Sequence, residues 1–234
     1  AKVTPAEGSP IIPAHRRVLA PMVGGSELAF RMLCRKYGVD LCYTPMMYAS
    51  KFVSDASYRN KMFHTHARDR PLAVHFCGND PDVMLAAARL VRDRCDAIDI
   101  NLGCPQRIAY SGHFGAYLLD KKDHELVFSI VRRLAEDLTP SPVTSRKIPI
   151  FCKIRLLDTV QDTIEFCRGL ERSGCSLIAV HARYRGTATR RRDGPAFLDQ
   201  VKEIKKAVGI PVLSNGNVRS SADVAANLKT TCAD

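Results

Sequence analysis

The sequence predicts an α/β fold, a (β/α)8 TIM barrel truncated before its eighth strand. Three observations carry this. Short runs of strand length are apolar nearly throughout, as expected of parallel strands covered on both faces. Longer amphipathic stretches separate them, so strand and helix alternate along the chain. The 234 residues are close to the roughly 250 that such a barrel typically needs. An open doubly wound sheet is the alternative. It is weakened because the first turn, Pro21-Met22-Val23-Gly24-Gly25-Ser26, contains no GxGxxG.

In chain order, strands are predicted at residues 18–22, 41–47, 72–77, 97–102, 150–156, 177–182 and 210–215. A helix over 27–37 is read from Ser26 as its N-cap, and one over 81–94 follows Asn79-Asp80. Another over 159–173 stops at Gly174, and one over 221–229 opens with Ser220. Residues 50–70 are mixed and polar, which reads as a long loop with a short helix. Pro and Ser mark 139–147 as a loop. The count is one strand short. Residues 231–234 stand where the eighth should begin, so the C-terminal part of the domain is expected to be missing unless another segment supplies that strand.

Lys and Arg number 35 against 24 Asp and Glu, a net charge of +11 that favours a polyanionic partner. A hydrophobic share of 46% with 25% charged residues excludes disordered and fibrous classes. No apolar run approaches the roughly 18 residues of a membrane span, and no signal peptide opens the chain. The nine cysteines are odd in number and include no CxxC pair. Neither a disulfide framework nor a metal cluster is therefore expected, and a reduced, cytoplasmic setting fits best.

In a barrel of this kind chemistry sits at the C-terminal ends of the strands. Met22, His75, Asn101, Cys104, Lys153, Arg155, His181, Arg183, Asn215 and Gly216 fall there. A lone strand His or Lys is usually a satisfied structural group, whereas a whole layer of them predicts a site. Lys153 and Arg155 lie in Ile150-Phe151-Cys152-Lys153-Ile154-Arg155-Leu156, a run that should be buried, so anionic partners are expected, phosphate or a delocalised anion. Carboxylates near strand ends are few, Asp99 and Asp158. That scarcity argues against a paired-acid glycosidase and a magnesium enolase-type site.

The sharpest local signal is Asn101-Leu102-Gly103-Cys104-Pro105. Pro105 stops the strand, Gly103 permits close approach by a ligand, and Cys104 is presented on a loop. Such a thiol is either a small apolar filler or, being mostly protonated at neutral pH, a proton donor. Ser214-Asn215-Gly216-Asn217 is a good turn whose N–H groups could also cradle a phosphate.

Together, Ala20-Pro21-Met22, Asn101-Leu102-Gly103-Cys104-Pro105-Gln106, Cys152-Lys153-Ile154-Arg155, Val180-His181-Ala182-Arg183 and Ser214-Asn215-Gly216-Asn217 resemble the tRNA-dihydrouridine synthases. Gly112-His113-Phe114-Gly115-Ala116-Tyr117-Leu118 resembles the eukaryotic branch acting at positions 16 and 17 of the D-loop. The resemblance runs over about residues 15 to 230. It implies an FMN-binding catalytic barrel over 1–234, with the helical tRNA-binding domain absent from this chain. It also implies NADPH-driven reduction of the uracil 5,6 double bond, with hydride delivered to carbon 6 by the reduced flavin. Cys104 would protonate carbon 5. Pro21, Met22, His75, Lys153, His181, Asn215 and Gly216 would contact FMN. Asn101, Arg155 and Arg183 would steer the uracil or the phosphates of tRNA. At His75 the family generally carries Gln, and Tyr110-Ser111 replaces a pair that is usually basic in this branch.

Arg183-Tyr184-Arg185 and Arg190-Arg191-Arg192 follow the sixth predicted strand. They read either as solvated surface or as phosphate contacts, with Tyr184 stacking on an extruded base. Two other functions stay open: a small-molecule FMN reductase of the dihydroorotate dehydrogenase type, and an RNA-binding barrel fragment without activity.

Overall fold

The computed structural model describes residues 10–140, 145–186 and 194–234. Its strands are β1 (Val18–Leu19), β2 (Leu41–Tyr43), β3 (Met47–Tyr48), β4 (Leu72–Cys77), β5 (Ala97–Leu102), β6 (Ile150–Leu156), β7 (Leu177–Tyr184) and β8 (Val212–Asn215). The helices are α1 (Leu28–Lys36), α2 (Ala49–Ser54), α3 (Ala56–Met62), α4 (Pro81–Arg89), α5 (Arg107–Ser111), α6 (His124–Asp137), α7 (Val160–Arg172), α8 (Leu198–Ala207) and α9 (Ser221–Thr231). All strand pairs are parallel, in the order β1-β2-β4-β5-β6-β7-β8 with β3 also on β4. This is a TIM-barrel sheet. Among the described residues no pairing joins β8 to β1. Beside β8, the Asp234 N–H donates to Val212 O at 3.0 Å.

The strands carry two kinds of inner residue. Low in the barrel Leu41, Tyr43, Ala73, Ala97, Phe151, Leu177, Ala179 and Leu213 pack together as an apolar plug. Two residues further along the same strands the inner positions become His75, Asp99, Lys153, His181 and Asn215, all of the same parity. The outer positions, among them Val74, Phe76, Ile98, Ile100, Cys152, Ile154 and Val180, belong to the main core beneath the helices. A strand with apolar residues outside and a polar top inside thus looks almost continuously apolar in sequence.

Three expectations are corrected. The segment 41–47 is two short strands, because Pro45 has no N–H to give and the ladder to β4 is interrupted between Thr44, whose N–H still reaches Ala73 O at 3.0 Å, and Met47. Ser26 does not cap α1; its buried hydroxyl takes the Met22 N–H at 2.9 Å and donates to Met22 O at 3.1 Å, closing the turn after β1. Residues 50–70 hold two helices, α2 and α3, not one. The starts at Asp80 and Ser220 are as read from sequence, whereas Thr159, read as the first helical residue, caps α7; Ser220 with Asp223 forms a full capping box. No helix among the described residues is long and apolar enough to cross a membrane.

Candidate active site

The register brings the predicted residues to one level. Pairing sets His75 beside Asp99, Asn101 beside Lys153, Arg155 beside His181, and His181 beside Asn215. A cleft of about 400 Å³ opens there, inside the roughly 300–1,000 Å³ usual for small-molecule sites. Pro21, Met22, His75, Asn101, Cys104, Lys153, Arg155, His181 and Asn215 all line it. Gly216 and Arg183 stand at its edge, where a Cβ on Gly216 would lie 3.6 Å from the His181 ring and 3.7 Å from Arg183 Nη1. Gly103, read from sequence as allowing close approach by a ligand, lines the cleft too, as do Met46 and Gln106, to which sequence reasoning gave no role. Of these, Met46 follows Pro45, the residue that interrupts the predicted strand 41–47. A neighbouring cavity of about 310 Å³, between α6, α7 and the end of β7, is lined by Tyr184 and Arg185 and by none of the residues expected to bind FMN.

Cys104 is half-buried on the loop between β5 and α5, and three neighbours hold that loop. The Asn101 side-chain carbonyl accepts the N–H groups of Gly103 at 3.0 Å and Cys104 at 2.9 Å. Arg155 donates through Nε to Gly103 O at 3.0 Å and through Nη1 to Tyr184 O at 2.8 Å, tying the loop to the end of β7. Ala116 N–H donates to Cys104 O at 3.0 Å.

The electrostatics are strongly positive. Lys153, Arg155 and Arg183 surround His181, whose pKa is held down to about 3, first by burial and then by those cations. Arg183 Nη1 donates to His181 Nε2 at 2.8 Å, so the neutral imidazole keeps its proton on Nδ1. Arg183 also donates to Gly194 O at 2.7 Å and to the Asn217 side chain. Burial lowers the Lys153 pKa to about 8, with Asp99 opposing and Arg155 adding to the fall. Asp99, fully buried below, has its own pKa raised by burial against the pull of His75 and Lys153. The Asp99 Oδ1 and Tyr43 Oη atoms are buried there without a hydrogen-bond partner. A cleft rich in cations and poor in accessible carboxylates suits an anion-bearing ligand.

Two expectations change here. His75 was read as a donor to a flavin, yet both its ring nitrogens are engaged, Nδ1 with Asp99 and Nε2 with Asn101 at 2.9 Å. Tyr184 was read as a stacking platform. Instead its ring packs edge-on against Phe197 at 5.2 Å, and its hydroxyl accepts from Gln200 at 2.7 Å. Arg190, Arg191 and Arg192 lie outside the described residues.

The family model for Dihydrouridine synthase (Dus) matches residues 18–234. The chain belongs to the dihydrouridine synthase family. It is 44% identical over 215 residues to a Mus musculus tRNA-dihydrouridine(16/17) synthase [NAD(P)(+)]-like protein, covering 89% of this chain and 42% of that one. To a Mus musculus tRNA-dihydrouridine(20a/20b) synthase [NAD(P)+]-like protein it is 43% identical over 204 residues, covering 87% and 60%. With the Schizosaccharomyces pombe tRNA-dihydrouridine(16/17) synthase it shares 38% over 223 residues, covering 94% and 53%. The chain spans about half the length of these curated relatives. Among solved structures, a 2-naphthoyl-CoA reductase in complex with 2-naphthoyl-CoA superposes with a TM-score of 0.62 at 11% identity, over 91% of this chain and 46% of that one. At that identity the likeness concerns the barrel alone. The dihydrouridine synthase barrel thus places its strand-end residues as the sequence pattern required.

Proposed function

We propose that residues 1–234 are the FMN-binding barrel of a tRNA-dihydrouridine synthase, reducing the 5,6 double bond of uridine in the tRNA D-loop with NADPH as hydride donor. One observation carries this reading: a half-buried thiol on a fixed loop lines the same cleft as Lys153, Arg155 and His181. The relatives' names supply the substrate class and the NAD(P) dependence.

The donor set fits a flavin phosphate and an electron-rich ring. Lys153 brings positive charge, His181 offers its Nδ1–H, and Asn215 adds a side-chain amide. Gly216, at φ +136°, lets backbone pass where a Cβ would come within 3.1 Å of Ala196. Pro21 and Met22 form the wall after β1. When bound, FMN supplies the hydride chemistry for which the side chains have no group of their own. Cys104 gives carbon 5 its proton as a general acid, and His181, neutral above about pH 3, orients without competing as a base. Arg155 and Arg183 add cationic charge beside the uracil and the phosphates while holding the loops. The target base must leave its stack to enter so enclosed a cleft.

Position 16 or 17 is favoured by the 112–118 motif, although identity to the two mouse relatives of different positions is nearly equal, 44% and 43%. Full-length protein supplied with FMN, NADPH and unmodified tRNA should convert uridine to dihydrouridine, read by nucleoside mass spectrometry. Absence of product would end this reading. A small-molecule flavin reductase has little use for a net charge of +11, and salt-sensitive tRNA binding separates the two. A colourless protein that binds tRNA without reducing it would favour the inactive fragment.

A further inference from the structure

A continuous line of hydrogen bonds runs from the buried floor of the cleft to the thiol loop, and its polarity is fixed from the top. Two backbone N–H groups, of Gly103 and Cys104, meet the Asn101 side chain at 3.0 and 2.9 Å, so the atom facing them is the carbonyl oxygen. The Asn101 Nδ2 group therefore points the other way, toward Met46 Sδ at 3.1 Å and His75 Nε2 at 2.9 Å. An amide nitrogen only donates, so Nε2 accepts. The His75 proton is then on Nδ1, where the Asp99 carboxylate takes it. His75 is 2% exposed and Asp99 0%, so the pair is buried at the floor of the cleft.

We propose that His75 is a positioning residue for Cys104: in its neutral, Nδ1-protonated form it sets the Asn101 amide, which in turn holds the loop that presents the thiol. This rests on the reading of Cys104 as the proton donor. A second proton on the ring would put a donor on Nε2 against the donor Nδ2. The amide would have to turn over, facing Nδ2 toward the Gly103 and Cys104 N–H groups and releasing the loop. The groups around the ring are Asp99 from β5, Tyr43 from β2 with its ring edge-on at 6.1 Å, and Lys153 from β6 acting across Asp99. Thr44 is neutral and takes the His75 backbone N–H at 3.0 Å.

The test needs neither cofactor nor tRNA, so its outcome is separate from that of the proposed activity. Side-chain nitrogen NMR of the wild-type chain, with the His75 signal assigned by its loss in His75→Gln, reads the tautomer. Alkylation of Cys104 by iodoacetamide relative to exposed Cys232 at neutral pH, quantified by peptide mass spectrometry, reads the loop. The expected results are a proton on Nδ1 and a Cys104 ratio that His75→Gln, which can donate to Asp99 and accept from Asn101, keeps and that His75→Leu changes. If His75→Leu fails to fold, the tautomer still decides. A proton on Nε2, or a folded His75→Leu with the wild-type ratio, overturns the proposal.

Discussion

Gly115 is packed directly on Cys104. Its φ is +65°, and a Cβ there would sit 2.8 Å from the Cys104 carbonyl oxygen and 3.0 Å from the Cys104 Cβ. The loop that carries the thiol thus has a backbone wall behind it, supplied from a segment 11 residues away in sequence. Gly115→Ala meets both a left-handed backbone and a clash with main-chain atoms, so it should destabilise the chain by more than about 1 kcal/mol. In the full-length enzyme it should also lower turnover by displacing Cys104. Urea unfolding and kcat together check this; unchanged values in both would contradict the packing argument.

Cys104→Ala removes the proposed proton donor and little volume. Dihydrouridine formation by the full-length enzyme should fall by about 10²–10⁴-fold, the range for a lost general acid. Flavin absorbance should survive. An unchanged rate would assign the protonation to another group.

His181 links stability to pH. Its folded pKa is depressed to about 3 from an ordinary value of 6.5, so between those values the unfolded chain binds a proton that the native chain does not. Stability should therefore fall as pH drops through this window, with a slope of about 1.4 kcal/mol per pH unit for one proton. His181→Gln should flatten that part of the profile in denaturant titrations run across it.

Lys153 gives a second window of the same sense, on the alkaline side. With its pKa at about 8 in the fold against 10.5 outside, wild-type stability should rise with pH between those values. Replacing the half-buried ammonium by a thioether, Lys153→Met, removes the desolvation cost and should raise Tm at neutral pH. The same change should weaken FMN binding, read by flavin fluorescence. A variant both less stable and equally yellow would refute the assignment of Lys153 to the ligand.

Arg31 and Asp69 concern the fold alone. Arg31 is 1% exposed and reaches the fully buried Asp69 at 2.7 Å, joining α1 to the segment before β4. Removing one partner of a buried pair typically costs about 3–5 kcal/mol. Arg35, at 3.1 Å from the same carboxylate, keeps some of that interaction, so Arg31→Met should fall at the lower end in thermal melts.

The barrel was legible because its signals are local: apolar runs of strand length, helix openings such as Ser220, and turns between them. The site was legible because its polar residues recur at equivalent strand ends. Pairings across the cleft were not. Asp99 looks like an isolated strand carboxylate until β4 and β5 are paired in register, which sets it beside His75. Ser26 looks like a helix cap because its residue type suits one, but the turn after β1 claims its hydroxyl.

Sequence alone determined that strands and helices alternate, that Lys153, His181 and Asn215 share a level, and that Cys104 leaves the strand on a loop, since each follows from spacing and residue chemistry along the chain. Only the tertiary structure decided that His75 faces Asp99 and Asn101, that Tyr184 packs on Phe197, and that Gly115 backs the thiol. Those depend on strand register and loop return, which bring together residues far apart in sequence. A hydrogen-bond partner is chosen by position in space, and no local pattern encodes it.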